Sequence, residues 1–454
     1  MSHIDVKAAE AFLTRHPVDT VDLLIPDLNG VLRGKRIHRD ALTKVYQEGI
    51  CLPGSVFAAS ITGDTVEATG LGFDEGDADR CCWPISGTLK PVPWEDNRRG
   101  QVFMAMYELD GTPFFADPRQ VLRRVTGRFE ELGLTPVVAL ELEFYLIRRE
   151  RAANGAPQPP LSPVTGEPER STQVYGMTEL DDYREFLDSL ARTASEQELP
   201  TDAAISEYAP GQYEINLKHE PDAESACDHA LQLKRLIKAV AREHGMEATF
   251  MAKPYPGLTG NGMHLHVSLV NDSGENVFAS EEPLANPLLG HAAAGLAATM
   301  AQWMALFAPN VTPFRRFQPD SYVPLAPTYG YNNRTLALRV PSGHAPARRI
   351  EHRVAGADAN PFLLMAAVLA GMHHGLTRQL PAPEPVTGNA YATVAPGLPL
   401  NWLDALRLFE HSSLAREYFG ERFCAAYLAN KDQERRTFEE QVTALEYAWY
   451  LRTV

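Results

Sequence analysis

The chain has 454 residues, 44% hydrophobic and 22% charged, proportions of a soluble globular enzyme with room for a large core. Its 58 acidic residues outnumber 42 lysines and arginines, and the resulting net charge of -16 argues against nucleic acid or an anionic membrane as the principal partner. Residues 1–22 carry charges throughout with no apolar leader core, and the longest apolar run, 361–372, is too short to span a bilayer, so a cytoplasmic protein is expected.

In chain order, residues 21–26 and 31–37 flank the turn Asp27-Leu-Asn-Gly30 and predict a hairpin. Glycines 63, 70, 72 and 76 mark a loop, and 102–109 predicts a strand before a turn at Asp110-Gly111. Together they predict a small mixed domain over 1–112, with a second domain over 113–454. A helical period runs over 118–132, then a strand over 137–147, then a Pro- and Gly-rich loop over 151–172. Residues 222–244 predict an amphipathic helix that puts Ala226, Ala230, Leu233, Ile237 and Val240 on one stripe and stops at Gly245. A second helix is predicted over 286–307. A third opens at Asn360-Pro361 with a small-residue face at Ala366, Ala367, Ala370 and Gly371. From about Trp402 the pattern predicts helices that cover a sheet. Five cysteines with no CxxC spacing predict reduced structural thiols.

Four stretches place charged groups at alternate positions of strands: Glu141-Leu-Glu143, Gln212-Tyr-Glu214, His264-Leu-His266 and Arg349-Ile-Glu351-His-Arg353. Side chains in a strand alternate faces, so each stretch sends its charges one way and Leu142, Ile215, Leu265 and Ile350 the other. A shared face bearing Glu141, Glu143, Glu214, His264 and Glu351 is self-repelling without cations. Oxygen ligands with one imidazole suit Mg²⁺ or Mn²⁺. Each motif alone is compatible with a solvated charged face; their co-occurrence predicts a multi-metal pocket ringed by arginines. No GxGxxG or GxxxxGK[ST] loop is present, so any nucleotide must be held by metals and arginines.

In order along the chain, Leu140-Glu-Leu-Glu-Phe-Tyr-Leu, Ser206-Glu-Tyr-Ala-Pro-Gly-Gln-Tyr-Glu-Ile, Phe250-Met-Ala-Lys-Pro, Gly262-Met-His-Leu-His-Val-Ser268, Asn333-Arg-Thr-Leu-Ala-Leu-Arg-Val-Pro341, Arg348-Arg-Ile-Glu-His-Arg and Asp358-Ala-Asn-Pro-Phe362 resemble glutamine synthetase. The resemblance runs from about Val18 to Leu451. It implies an α+β fold: an N-terminal β-grasp domain and a catalytic domain with a curved antiparallel sheet flanked by helices. It also implies two or more divalent ions per site. Glu143, Glu207 and Glu214 resemble the ligands of the metal facing glutamate and the moving phosphoryl group; Glu141, His264 and Glu351 resemble those of the metal on the nucleotide phosphates. Arg334 matches the transition-state arginine. Arg339 and Arg349 match ATP-phosphate ligands, His266 and Ser268 nucleotide contacts, and Arg316 and Arg353 the arginines on the glutamate carboxylates. Gly260 falls at a backbone contact to glutamate. Arg334, Glu207 and Arg353 form the expected catalytic set.

The reaction implied is ATP-dependent activation of the γ-carboxylate of L-glutamate to an acyl phosphate, then attack by an amine. Departures concentrate around that amine. Tyr322 stands where ammonia-using relatives carry a flap glutamate, and the FDGSS-type loop is not recognisable around residues 58–65. The usual His-His-Glu reads Ile205-Ser-Glu207, and Thr259 replaces an asparagine. Tyr322 with Tyr175 would line a slot for an alkylammonium through apolar contact and cation–π attraction. This is similar to the γ-glutamylpolyamine (glutamylputrescine) synthetase branch and points to putrescine or another primary amine, with Glu207 as candidate proton acceptor. The alternatives are an ammonia-using glutamine synthetase and, from another class, a non-catalytic relative kept as a structural or regulatory assembly. Two stacked hexameric rings are implied by the same resemblance. Tyr391 lies near where some relatives carry an adenylylated tyrosine, but its flanking sequence departs, so that modification is not expected.

Overall fold

The structure, a computed structural model, describes residues 5–95, 97–169 and 173–454. Strands β1 (Thr20–Pro26), β2 (Leu32–His38), β3 (Ile50–Pro53), β4 (Asp79–Pro84), β5 (Lys90–Pro91) and β6 (Arg99–Tyr107) form one sheet in the order β2-β1-β6-β4-β3, with β5 also on β6. β1 and β6 run parallel and the other pairs antiparallel, giving the N-terminal grasp layer. The expected hairpin is β1–β2. Gly34 sits in it with φ 143°, where any Cβ would strike the Leu23 carbonyl.

The second sheet holds β7 (Leu134–Arg148), β8 (Thr201–Ser206), β9 (Gln212–Leu217), β10 (Met246–Thr249), β11 (Met263–Asn271), β12 (Tyr329–Tyr331), β13 (Leu338–Val340) and β14 (Ile350–His352). Their order is β12-β13-β14-β11-β7-β9-β8, with β10 also paired to β7. The sheet is antiparallel except at one edge, where β12 and β13 run parallel. Leu140, Leu142 and Phe144 of β7, Ile215 of β9, Leu265 of β11 and Ile350 of β14 all enter the main core. The alternate residues of the same strands are thereby left to the opposite face.

Helix Ala223–Glu243 packs against β7 and β10, capped by the Asp222 carboxylate on the N–H groups of Glu224 and Ser225. Helix Pro361–Arg378 packs on Pro287–Met300 and Pro118–Glu130. Its small residues allow close approach: a Cβ on Gly295 would run into the backbone of Gly371 and Gly375.

Two expectations differ from what forms. The helix expected over 286–307 breaks into Pro287–Met300 and Met304–Phe307, because Trp303 turns inward, with φ -110° and ψ 14°, and donates its indole N–H to Ser412 Oγ at 3.2 Å. The C-terminal helices Trp402–His411, Ser413–Phe419 and Glu421–Glu439 pack on other helices and on the N-terminal domain rather than over the sheet. Asn430 Nδ2 donates to the carbonyls of Ala58 (3.3 Å) and Ala59 (3.1 Å), and Glu434 accepts from the Ile61 N–H at 2.6 Å. Among the described residues no helix is long and apolar enough to cross a membrane.

Candidate active site

Strand register assembles the site. His264 of β11 lies opposite Glu141 of β7, Glu143 opposite Glu214 of β9, and His266 opposite Glu351 of β14. Directly opposed side chains on one face are near neighbours, so four strands deliver their charged residues to one patch. Glu141, Glu143, Tyr175, Glu207, Glu214, Gly260, His264, Arg316, Tyr322, Arg334, Arg339, Glu351 and Arg353 line a single cavity there.

His266, Arg349 and Ser268 do not line it. His266 stands directly behind: its Nε2 lies 2.9 Å from Glu141 Oε1, and Arg349 Nε donates to its Nδ1 at 3.0 Å. Ser268 shares the face of His264 and His266, farther along β11 beside Val137.

The carboxylates divide by partner. Burial disfavours the charge of Glu351, but Arg353, His266 and His264 outweigh it and hold its carboxyl down at about 2. Arg339 donates to Glu351 Oε2 at 2.8 Å and Arg353 bonds Oε1. Glu141 is likewise held well below the usual range, as His266 and His264 overcome its burial. In contrast, burial and the Glu143 charge push Glu207 up to about 8, and burial with Glu141, Glu143 and Glu207 pushes Glu214 well up. Such an excess of buried anionic oxygens with few protons to share is a donor set for hard divalent ions.

Two trios bring ligand atoms within 4.8 Å of one another: Glu141, His266 and Glu351; and Glu141, Glu214 and His264. They cut across the two ligand sets implied by resemblance. Glu141 belongs to both because each of its oxygens faces one imidazole, with His264 Nδ1 3.3 Å from Oε2.

Beside this patch Arg316 is buried, its Nη1 donating to the Val354 carbonyl at 3.1 Å. Gly260 is obligatory there: a Cβ would fall 2.5 Å from both the Ala252 carbonyl and Arg316 Cγ. The Gln212 amide holds this turn through the Gly260 carbonyl and Asn261 Oδ1, both at 3.0 Å.

The mouth is aromatic. Tyr322 stacks on Tyr208 with centroids 5.9 Å apart and planes 28° off parallel, both rings about half exposed. Tyr175 lines the same cavity, and Tyr175 and Tyr322 adopt left-handed backbone, φ 61° and 56°. That conformation is uncommon for bulky residues. The Tyr391 hydroxyl donates to the Val323 carbonyl at 3.0 Å, and an outer cavity from Asp320 to Tyr391 adjoins Tyr322 and Arg334.

Sequence reasoning missed Tyr208 and Asn216. Asn216 Nδ2 donates to Glu141 Oε1 at 3.1 Å. Both signals were present: Tyr208 follows Glu207, and Asn216 follows Glu214 by two, on the same strand face. The loop over 58–65 is absent from the cavity lining and is tied instead to helix Glu421–Glu439.

Residues 115–450 match the family model described as the glutamine synthetase catalytic domain, and the chain belongs to the glutamine synthetase family. Enzymes of this family are ATP- and divalent-metal-dependent ligases. Among its relatives, gamma-glutamylputrescine synthetase of Escherichia coli strain K12 is 46% identical over 97% of this chain and 93% of its own. Glutamate–isopropylamine ligase of a Pseudomonas species is 32% identical over 97% and 96%. A solved GmaS/ADP complex superposes with TM-score 0.85 at 27% identity, covering 98% of this chain and 99% of that one.

Proposed function

We propose that this ligase joins the γ-carboxylate of L-glutamate to a primary amine, putrescine or another alkylamine, through γ-glutamyl phosphate. The observation that carries the choice of amine is the Tyr322–Tyr208 stack at the mouth of a pocket otherwise built from carboxylates and arginines. Aromatic faces attract alkylammonium groups and contact their methylenes, whereas a bare ammonium gains only the first term. The relatives named for putrescine and isopropylamine support the same reading.

Within this reading Glu143, Glu207 and Glu214 would hold one divalent ion and Glu141, His264 and Glu351 another, Mg²⁺ or Mn²⁺. Bound there, the ions supply neutralisation of charge on the transferred phosphoryl group. Arg316 and Arg353 are forks for the glutamate carboxylates, with Gly260 giving backbone contact. Arg339, Arg349, His266 and Ser268 are assigned to the nucleotide, and Arg334 to charge developing in transfer. Glu207 is the acceptor of the ammonium proton. Tyr208 joins Tyr175 and Tyr322 as the third aromatic wall.

We divide the chain into domains 1–112 and 113–454, a reading supported by the segment without helix or strand between the end of β6 and the helix Pro118–Glu130. Assembly as two stacked hexameric rings is implied by the family resemblance; self-association as such is supported by the last helix, Ala444–Tyr450, which buries none of its residues and leaves Leu445, Tyr447, Trp449 and Tyr450 exposed, an apolar surface suited to a second copy.

The test is phosphate release from glutamate, ATP and Mg²⁺ with a panel of amines. Turnover with putrescine or a small alkylamine well above ammonium is expected. Robust turnover with ammonium alone overturns the amine assignment, and metal-independence or inactivity with every amine overturns the ligase reading.

A further inference from the structure

In the N-terminal sheet, Cys51 and Cys81 face each other across β3 and β4. Opposed antiparallel residues alternate between pairs that exchange backbone hydrogen bonds and pairs that do not, and in the latter the Cα atoms approach to about 4.5 Å. Three observations put Cys51–Cys81 in the close class. The Gly54 N–H donates to the Ala78 carbonyl, so Gly54–Ala78 is a bonded pair, and counting back in steps of two makes Leu52–Arg80 bonded and Cys51–Cys81 not. Pro53, which has no N–H, occupies the next unbonded position, opposite Asp79. The Cys51 carbonyl turns outward and accepts from Lys35 Nζ at 2.9 Å.

A Cα separation of about 4.5 Å lies inside the roughly 4.4–6.8 Å that a disulfide spans. The two thiols are also unequally accessible: Cys51 is exposed and Cys81 half-buried, while Cys82, Cys227 and Cys424 are buried. Exposure sets Cys51 apart from the structural burial expected of these cysteines. Burial, with the neighbouring Cys51, pushes the Cys81 thiol up, so the exposed partner is the one placed to react first.

We propose that Cys51 and Cys81 are a redox-active pair that closes a cross-strand disulfide when the protein meets a small disulfide oxidant. The Cys51 thiolate attacks the oxidant, forming a mixed disulfide and expelling one small thiol. The Cys81 thiolate then attacks the Cys51 sulfur and expels the second, so two protein thiols are oxidised as one small disulfide is reduced to two thiols. The bond would fasten β3, the edge strand, to its neighbour β4 in the sheet. It would also hold the lead-in to the loop over 58–65 that docks on helix Glu421–Glu439.

The experiment incubates the full-length native protein with glutathione disulfide, counts thiols after denaturation, and maps peptides by mass without reduction. The thiol count should fall from five to three, with a Cys51–Cys81 linked peptide. Cys81→Ser should trap one glutathione on Cys51; Cys51→Ser should keep its thiols; Cys82→Ser should still lose two, each variant first checked for native circular dichroism. Retention of all five thiols in the native protein, linkage of another pair, or loss of two thiols in Cys51→Ser overturns the proposal.

Discussion

Replacing Tyr322 by asparagine removes the aromatic wall while respecting the backbone, since asparagine tolerates a φ of 56° better than alanine does. A cation over an aromatic ring is worth about 0.5–1 kcal/mol at exposed sites and about 2 kcal/mol when desolvated. Tyr322 is 47% exposed, so the lower part applies, and about 1 kcal/mol corresponds to roughly a fivefold loss in kcat/KM for the alkylamine. Tyr208→Ala should cost a similar factor. Because the rings stack, the double variant should lose less than the product of the single losses, with a coupling of about 0.5–1 kcal/mol. The assay is initial-rate phosphate release against amine concentration at saturating glutamate and ATP, with ammonium in parallel. Ammonium should lose less than twofold. Equal losses for ammonium and alkylamine would refute the reasoning, reducing Tyr322 to a packing residue of its loop.

Three further outcomes follow from the geometry. Gly260→Ala puts a methyl 2.5 Å from Arg316 Cγ and the Ala252 carbonyl; such overpacking costs about 1–3 kcal/mol and should raise KM for glutamate about tenfold in steady-state kinetics. Glu351→Gln removes the anion shared by Arg339 and Arg353 and should lower unfolding free energy by about 3–5 kcal/mol in urea titrations. Lys234 is half-buried with its ammonium turned inward, donates to the carbonyls of Ala357 (2.7 Å) and Ala359 (3.3 Å), and is pulled down to about 7 by desolvation and Lys238. Between about 7 and 10.5 the unfolded chain therefore binds a proton that the folded chain lacks, so this group makes stability rise with pH across that window. Denaturation midpoints of Lys234→Met should show a flatter rise than the parent; parallel slopes would contradict it.

Much of this was legible because the strand period is unforgiving: once Leu142, Ile215, Leu265 and Ile350 must enter a core, the residues beside them are committed to the opposite face. The cavity then follows from register, which brings Glu143 against Glu214 and His264 against Glu141. Register is a long-range property, and the motifs named the residues without giving the pairings. That is why the trios seen around Glu141 differ from the sets implied by family resemblance. The break at Trp303 was illegible for a similar reason, since its cause, a hydrogen bond to Ser412, lies 109 residues away. The same holds for the C-terminal helices: their apolar stripes told of burial, but not that Asn430 and Glu434 would fasten them to the N-terminal domain.

The central claim is that a glutamate-activating site has been turned from ammonium toward an alkylamine. Equimolar ammonium and putrescine, offered in one reaction with glutamate, ATP and Mg²⁺, make products whose mass-resolved ratio equals the ratio of kcat/KM values. The account predicts γ-glutamylputrescine in large excess over glutamine; glutamine as the dominant product would contradict it.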